Sequence, residues 1–365
     1  MNGVVDGSLN QLNVATHRHI RRSPVLIDGI FQADPLMAMI KKSCVAPYPG
    51  GRVHAFNITF DVLLTSAYEA GDDFDLTDQK IDDQAQMFRR LLEGNVTLTM
   101  EEIEVDNVGD AAVYKNVDSK LRNIYNAVGS DIAIMLYLKN QTTYYGKMLA
   151  GLAEAINDGT NASWDGQTYA SYGGLTRANY NGALTPYWAT ASGNPVEYDD
   201  LTDLLEETSW GDGELEPNVL MTSPKGYSSI KKRFQVQQRL NESTPVIGFK
   251  GYSVENATVM KSRYCPGQDI ATTTKKSNRV AMKFIRATTK NKVTTYPSVS
   301  NETMFALNVR KPNMHLLVST SKRYQFGFTG WKVTAHNTKV SGQVLWAGLF
   351  TVDNPSFHGQ LVNFS

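Results

Sequence analysis

The chain has 365 residues, 41% of them apolar and 20% charged, with 36 Lys/Arg balancing 36 Asp/Glu. That length allows two or three compact domains, and the composition excludes a disordered chain. The longest unbroken apolar run, residues 132–138, falls far short of the roughly 20 residues a membrane helix needs.

The polar first 13 residues have no secretory apolar core, so the protein is expected to stay where it is made. Cys44 and Cys265 are too far apart in sequence for metal-ligand spacing, and two cysteines make no disulfide framework. The neutral total conceals a split. Residues 1–220 hold 15 Lys/Arg against 31 Asp/Glu, while residues 221–365 hold 21 against 5. Such a subunit can attract copies of itself head to tail, or turn its basic region toward a polyanion.

In chain order, residues 1–46 read as an arm with His17, Arg18, His19, Arg21 and Arg22, then a short apolar segment at 35–40. The His-x-His pair has no third ligand nearby, which favours a solvated basic arm able to meet phosphates or an acidic neighbour. Pro47-Tyr-Pro-Gly-Gly51 is a turn cluster and marks a boundary. Phe56, Ile58, Phe60, Val62 and Leu64 then alternate with Asn57, Thr59 and Asp61, the period of a strand. A second alternation follows at Val96, Leu98 and Met100. Between them lie an acidic stretch at 69–83 and a helical spacing at Ile81, Ala85, Phe88 and Leu92. The region reads as a long hairpin with an elaborated tip. Two strands alone are marginal in water, so its apolar face needs cover from its own domain or another chain. Asp72, Asp73, Asp75 and Asp78 lack the glycine and terminal glutamate of a calcium loop and read as solvated charge.

Residues 116–158 form the main helical region. Val117, Leu121, Ile124 and Val128 make one stripe, with Asp118 as N-cap. Gly129-Ser130 predicts a kink or a break. The pattern resumes through 132–138 and Met148, Leu149, Leu152 and Ile156, and it ends at Asp158-Gly159. Residues 159–195 predict loops and short strands, and 197–208 a helix. Residues 219–224 predict a buried strand running into a helix at 224–240. Further strands are expected at 246–249, 252–254 and 257–260, and at 323–328, 331–335 and 340–350. The class is α+β.

Familiar chemistry is missing. There is no phosphate loop, no dinucleotide fingerprint, no Gly-x-Ser-x-Gly elbow and no His-Glu-x-x-His. Gly211-Asp-Gly213 sits among acids that repel phosphate. The six histidines, at 17, 19, 54, 315, 336 and 358, are scattered. No catalytic residue, metal ligand or cofactor site is assigned, and the protein is not expected to be an enzyme. Lys231, Lys232, Arg233, Arg239, Lys275, Lys276 and Arg279 carry no zinc finger or helix-turn-helix with them, so any nucleic-acid contact is expected to be non-specific.

Three segments, in order, resemble the major capsid proteins of tailed bacteriophages. Val96-Thr-Leu-Thr-Met-Glu-Glu-Ile103 looks like the family's strand and acidic turn before its spine helix. Tyr172-Gly-Gly-Leu-Thr-Arg177, followed by Tyr187-Trp188, is similar to its Gly-Gly-(Leu/Ile)-x-Arg…Trp segment. Residues 217–252, with Gln237-Gln238-Arg239 and Phe249-Lys-Gly-Tyr252, look like its strand, helix and hairpin. The resemblance covers roughly residues 45–365.

The resemblance implies an N-terminal arm (1–46), an extended hairpin loop (47–110) and a peripheral domain with a spine helix (111–170). An axial domain (171–320) and C-terminal strands returning to the peripheral domain (321–365) follow. It implies self-assembly into pentamers and hexamers of an icosahedral head around double-stranded DNA, in a virion assembled in the host cytoplasm. Scaffolding and portal would be separate proteins, with no membrane involved. Phe56, Phe60 and Arg177 are the candidate inter-subunit contacts, with a surface loop as the alternative setting for Arg177. Trp188 is expected in a domain core, and Lys80 gives little basis for a covalent cross-link. Two other readings stand beside this one: a nanocompartment shell of the same fold around an enzyme cargo, and an unrecognised intracellular α+β enzyme.

Overall fold

The computed structural model describes residues 12–18, 34–61, 79–104, 110–137, 149–164, 166–210, 215–234, 242–246, 249–267, 301–333 and 339–365. It also describes single residues at 20, 65, 67 and 69. The hairpin tip with Asp72–Asp78, and His19, Arg21, Arg22, Arg239, Lys275, Lys276 and Arg279, lie outside the described residues.

The first well-packed element begins inside the segment expected to be an arm. Asp34 caps helix α1 (Pro35–Ser43), its carboxylate accepting from the Leu36 amide at 3.0 Å, with proline in the first turn. Leu36, Met37 and Ile40 are fully buried. Strand β1 (Val45–Tyr48) then runs parallel to β13 (Met314–Ser319), with Val45 opposite Leu316. Upstream, the helical segment 12–18 docks on the same body. Asn13 accepts from the Trp331 amide at 2.5 Å, and Thr16 Oγ1 accepts from the Trp331 indole at 3.1 Å.

Strands β2 (Val53–Thr59) and β3 (Asp82–Phe88) make the hairpin, with Val53 opposite Phe88 and Phe56 opposite Ala85. This corrects the expected pairing. The Val96–Leu98 segment belongs instead to β4 (Arg90–Thr99), which pairs along its length with β16 (Lys339–Val352). The helical spacing at 81–92 was coincidental. Ala85 and Met87 point inward while Gln84, Gln86 and Phe88 point outward, which is the two-residue period of a strand. A capping box joins β4 to helix α2 (Met100–Glu104). The Thr99 amide donates to Glu102 Oε2 at 3.1 Å, and the Glu102 amide donates to Thr99 Oγ1 at 3.2 Å.

Helix α3 (Asp110–Tyr137) is 28 residues long, about 42 Å at 1.5 Å per residue. It runs without a break through Gly129-Ser130, where the Ser130 hydroxyl donates to the Asn126 carbonyl at 2.8 Å. Asp118 lies inside the helix and pairs with Arg122 at 2.8 Å; it caps nothing. Val117, Leu121, Tyr125, Val128 and Ile132 are buried. The helix lies so close to β4 that a Cβ on Gly94 would sit 2.8 Å from Ile124 Cδ1. Helix α4 (Leu152–Ala155) follows; Met148 of the expected stripe lies outside the described residues.

Two larger sheets share the core. One contains β1, β4, β13, β14 (Gln325–Phe328), β15 (Lys332–Val333) and β16. Near the hairpin root, β5 (Ser171–Tyr172) and β6 (Leu175–Thr176) form a two-stranded ribbon. The second large sheet has the order β7-β17-β12-β8-β11-β10-β9. Its strands are β7 (Tyr187–Thr190), β8 (Val219–Thr222), β9 (Glu242–Val246), β10 (Phe249–Val254), β11 (Ala257–Lys261), β12 (Glu302–Leu307) and β17 (Gly359–Phe364). Helices α5 (Tyr198–Glu206) and α6 (Pro224–Phe234) cover one face. There Leu201, Leu204, Ile230 and Phe234 pack with Leu220, Val259, Met304 and Leu361. The opposite face, with Val219, Met221, Phe305 and Leu307, joins the core around α1 and α3. Two short connections carry the chain between the sheets, at 308–313 and 353–358. These connections are tied together where Asn354 Nδ2 donates to Asn313 Oδ1 at 3.2 Å.

Candidate subunit-contact surfaces

The hairpin is anchored to the body by the Tyr172–Tyr180 segment. Phe56 is buried, its ring centre 6.5 Å from Tyr172, and half-buried Phe60 meets Tyr180 edge-on at 5.2 Å. The Gln86 amide donates to the Gly173 carbonyl at 2.8 Å. Tyr180 donates its hydroxyl to Asp83 at 2.9 Å, and Lys80 lies 2.6 Å from the same carboxylate. The Lys80 contact leads the causes that hold the Asp83 carboxyl down at about 2. The inner face of the hairpin is thus covered by its own chain, with Phe56 and Phe60 making contacts within it.

The outward face is different. Val53 and Phe88 are 38% and 42% exposed, Leu91 at the start of β4 is 61% exposed, and the Arg90 guanidinium lies 5.6 Å from the Phe88 ring centre. Sequence reasoning missed this trio because Phe88 had been counted in a helical stripe. Once β3 is read as a strand, the phase of Ala85 and Met87 places Phe88 on the opposite face.

Gly173 sets the fit beneath the hairpin. Its φ is 59°, and a Cβ there would lie 2.7 Å from Ala85 Cβ and 3.3 Å from the Gln86 amide nitrogen. Gly173→Ala is expected to cost about 2 kcal/mol through left-handed strain and overlap, concentrated at this contact. Hydrogen exchange over residues 53–88 should then rise while α6 and β8 stay protected. Unchanged hairpin protection would count against this anchoring.

Arg177 is not a surface-loop residue. It is 2% exposed, and its donors go to main-chain carbonyls of its own chain. Nε reaches Tyr169 at 3.0 Å, Nη1 reaches Leu184, and Nη2 reaches Glu154 at 2.5 Å and Ala155 at 3.3 Å. The guanidinium also lies over the Tyr172 ring at 5.3 Å. Burial pushes the Glu154 carboxyl up to about 7, against the pull of Arg177 and Arg90. Nearby, the Tyr172 hydroxyl accepts from the Val352 amide at 2.9 Å, and His315 Nε2 lies 3.1 Å from Asp353. This polar cluster stiffens the hairpin root. Trp188 is half-buried on β7.

Among the described residues, no three His, Cys, Asp or Glu side chains gather as metal ligands, and no helix is long and apolar enough to cross a membrane.

No family model and no curated protein matches the chain. Solved structures do. The capsid asymmetric unit of cyanophage A-1(L) aligns over 90% of this chain and 92% of that chain, with TM-score 0.63 and 10% identity. The holo-SrpI encapsulin complex of Synechococcus elongatus PCC 7942 aligns over 91% and 89%, with TM-score 0.56 and 10% identity. The capsid of a native GTA particle aligns over 89% of each chain, with TM-score 0.52 and 8% identity. The α+β architecture is therefore the tailed-phage major capsid protein fold, as the three sequence segments implied.

Proposed function

We propose that this chain is a major capsid protein, a structural subunit that self-assembles into an icosahedral head around phage double-stranded DNA. The observation that carries the reading is the near full-length agreement with the cyanophage A-1(L) capsid chain. The hairpin supports it, anchored on its inner face and presenting Val53 and Phe88 outward, with Leu91 exposed at the start of β4. Exposed apolar side chains of this kind suit burial against a second copy. Icosahedral closure comes from pentamers and hexamers, with scaffolding and portal as separate partners and assembly in the host cytoplasm.

Negative-stain microscopy and analytical ultracentrifugation of the full chain expressed alone test this. Shells, tubes or rings are expected. A stable monomer across the accessible concentration range would overturn it.

The alignment with the holo-SrpI encapsulin complex favours a second reading, a nanocompartment shell around a protein cargo. Contents of particles isolated from the native source separate the two: nuclease-protected DNA supports the phage head, and a co-purifying enzyme with no DNA supports the nanocompartment.

A further inference from the structure

Helices α5 and α6 lie on the same face of the seven-stranded sheet and carry opposite charge. On α5, Asp199, Asp203, Glu206 and Glu207 fall at i, i+4, i+7 and i+8, which is one stripe of an α-helix. Asp199, Asp203, Glu206 and Glu207 are exposed, and none forms an ion pair among the described residues. Asp199 suits the first turn, but the placement of Asp203, Glu206 and Glu207 works against the helix. Like charges four residues apart repel, and acids in the last turn oppose the macrodipole, where the helix has no basic residue. The stripe leads to Trp210, 65% exposed, with one edge against Phe357 at 5.9 Å. On α6 the last turn holds Lys231, Lys232 and Arg233, all exposed, and the first turn has no acid.

Within one chain these two ends do not meet. Arg233 pairs with Glu197 at 2.7 Å, and Phe234 meets Tyr198 at 6.0 Å, so the basic end of α6 lies beside the start of α5. Glu206, Glu207 and Trp210 lie at the other end, where Leu204 and Thr208 pack over Gly359, about 15 Å along the helix. That exceeds the screening length of about 8 Å at physiological salt. Among the described residues neither patch meets its opposite, and this chain carries both.

We propose that the Glu206–Glu207–Trp210 end of α5 seats on the Lys231–Lys232 end of α6 in a second copy, head to tail around a ring. The inference rests on the shell-subunit reading and names one of its contacts. A heterologous contact of this kind closes a ring when its rotation divides the circle. The exposed indole supplies the anchor, and a lysine ammonium over its face adds cation–π attraction.

Charge exchange in the full chain tests it, read by sedimentation and negative-stain microscopy, with circular dichroism confirming folding. E206K/E207K alone and K231E/K232E alone should each assemble at least about tenfold less than the unaltered chain. The chain carrying all four changes should regain assembly. Mixing the two double variants should give rings with an even number of subunits only, because each contact then needs one copy of each kind. W210A should weaken assembly without altering the fold. If the unaltered chain stays monomeric, the shell reading fails and this contact with it. If it assembles and both double variants assemble equally well, this contact alone is overturned. Loss without recovery in the fourfold variant also overturns it.

Discussion

Arg177→Ala is expected to destabilise the folded chain by about 3–5 kcal/mol, measured as a shift in urea midpoint by circular dichroism. The side chain is buried, and its guanidinium donates to the carbonyls of Tyr169, Leu184, Glu154 and Ala155. Alanine leaves those acceptors unpaired in a region closed to water, each costing about 1–3 kcal/mol before relaxation. It also removes one of the two cations facing the buried Glu154 carboxyl. Arg177→Lys should recover little, since an ammonium cannot span carbonyls that a planar fork reaches at once. Because the clip ties the α4 segment to the loop that underlies the hairpin, hairpin protection should fall with global stability. A loss below about 1 kcal/mol would show that water or repacking replaces the guanidinium.

The second large effect is on the acid side. His358 is fully buried, its Nδ1 accepting from the Asn308 amide at 3.2 Å, and burial pulls its pKa from 6.5 down to about 3. Below pH 6.5 the unfolded chain takes up this proton, and the folded chain does not until about pH 3. Stability from the neutral imidazole is thus complete above pH 6.5 and is lost as pH falls to 3, on the order of 4 kcal/mol in all. Two carboxyls run the other way. Burial raises Asp34 to about 6 and Glu154 to about 7, so the folded chain binds those protons first and gains stability as pH falls through that range. His358→Gln isolates the histidine by keeping an acceptor for the Asn308 amide without a titrating ring. The stability difference between the unaltered chain and this variant should shrink steadily from pH 6.5 downward. A flat difference would show that the imidazole titrates normally in the fold.

Much of the α+β body could be read from residue patterns. The buried strand Val219–Thr222, its following helix, the α3 stripe and the C-terminal strands all announce themselves through periodicity and proline placement. The errors have physical causes. Ile81, Ala85, Phe88 and Leu92 fit a helix only by coincidence, because β3 and β4 turn different faces inward on either side of Arg89. Gly129-Ser130 did not break α3, since packing along the helix outweighs the propensity of two residues. Arg177 was legible as unusual but not as buried. Nothing local in Tyr172–Arg177 reveals that carbonyls from 154, 155, 169 and 184 converge on it. The exposed trio of Val53, Phe88 and Leu91 and the opposed ends of α5 and α6 depend on register and neighbourhood, which only the assembled fold supplies.

On the proposed shell reading, the two six-residue passages between the sheets bear on how copies would fit together. Asn308 bonds to His358 and Asn313 to Asn354, so outgoing and returning passages are cross-linked, and one apolar core runs beneath both sheets. Hinging there would break these bonds together. In the proposed shell, subunits in quasi-equivalent environments would therefore carry the same body and differ in the tilt of the β2–β3 hairpin, which contacts the body around Tyr172, Gly173 and Tyr180.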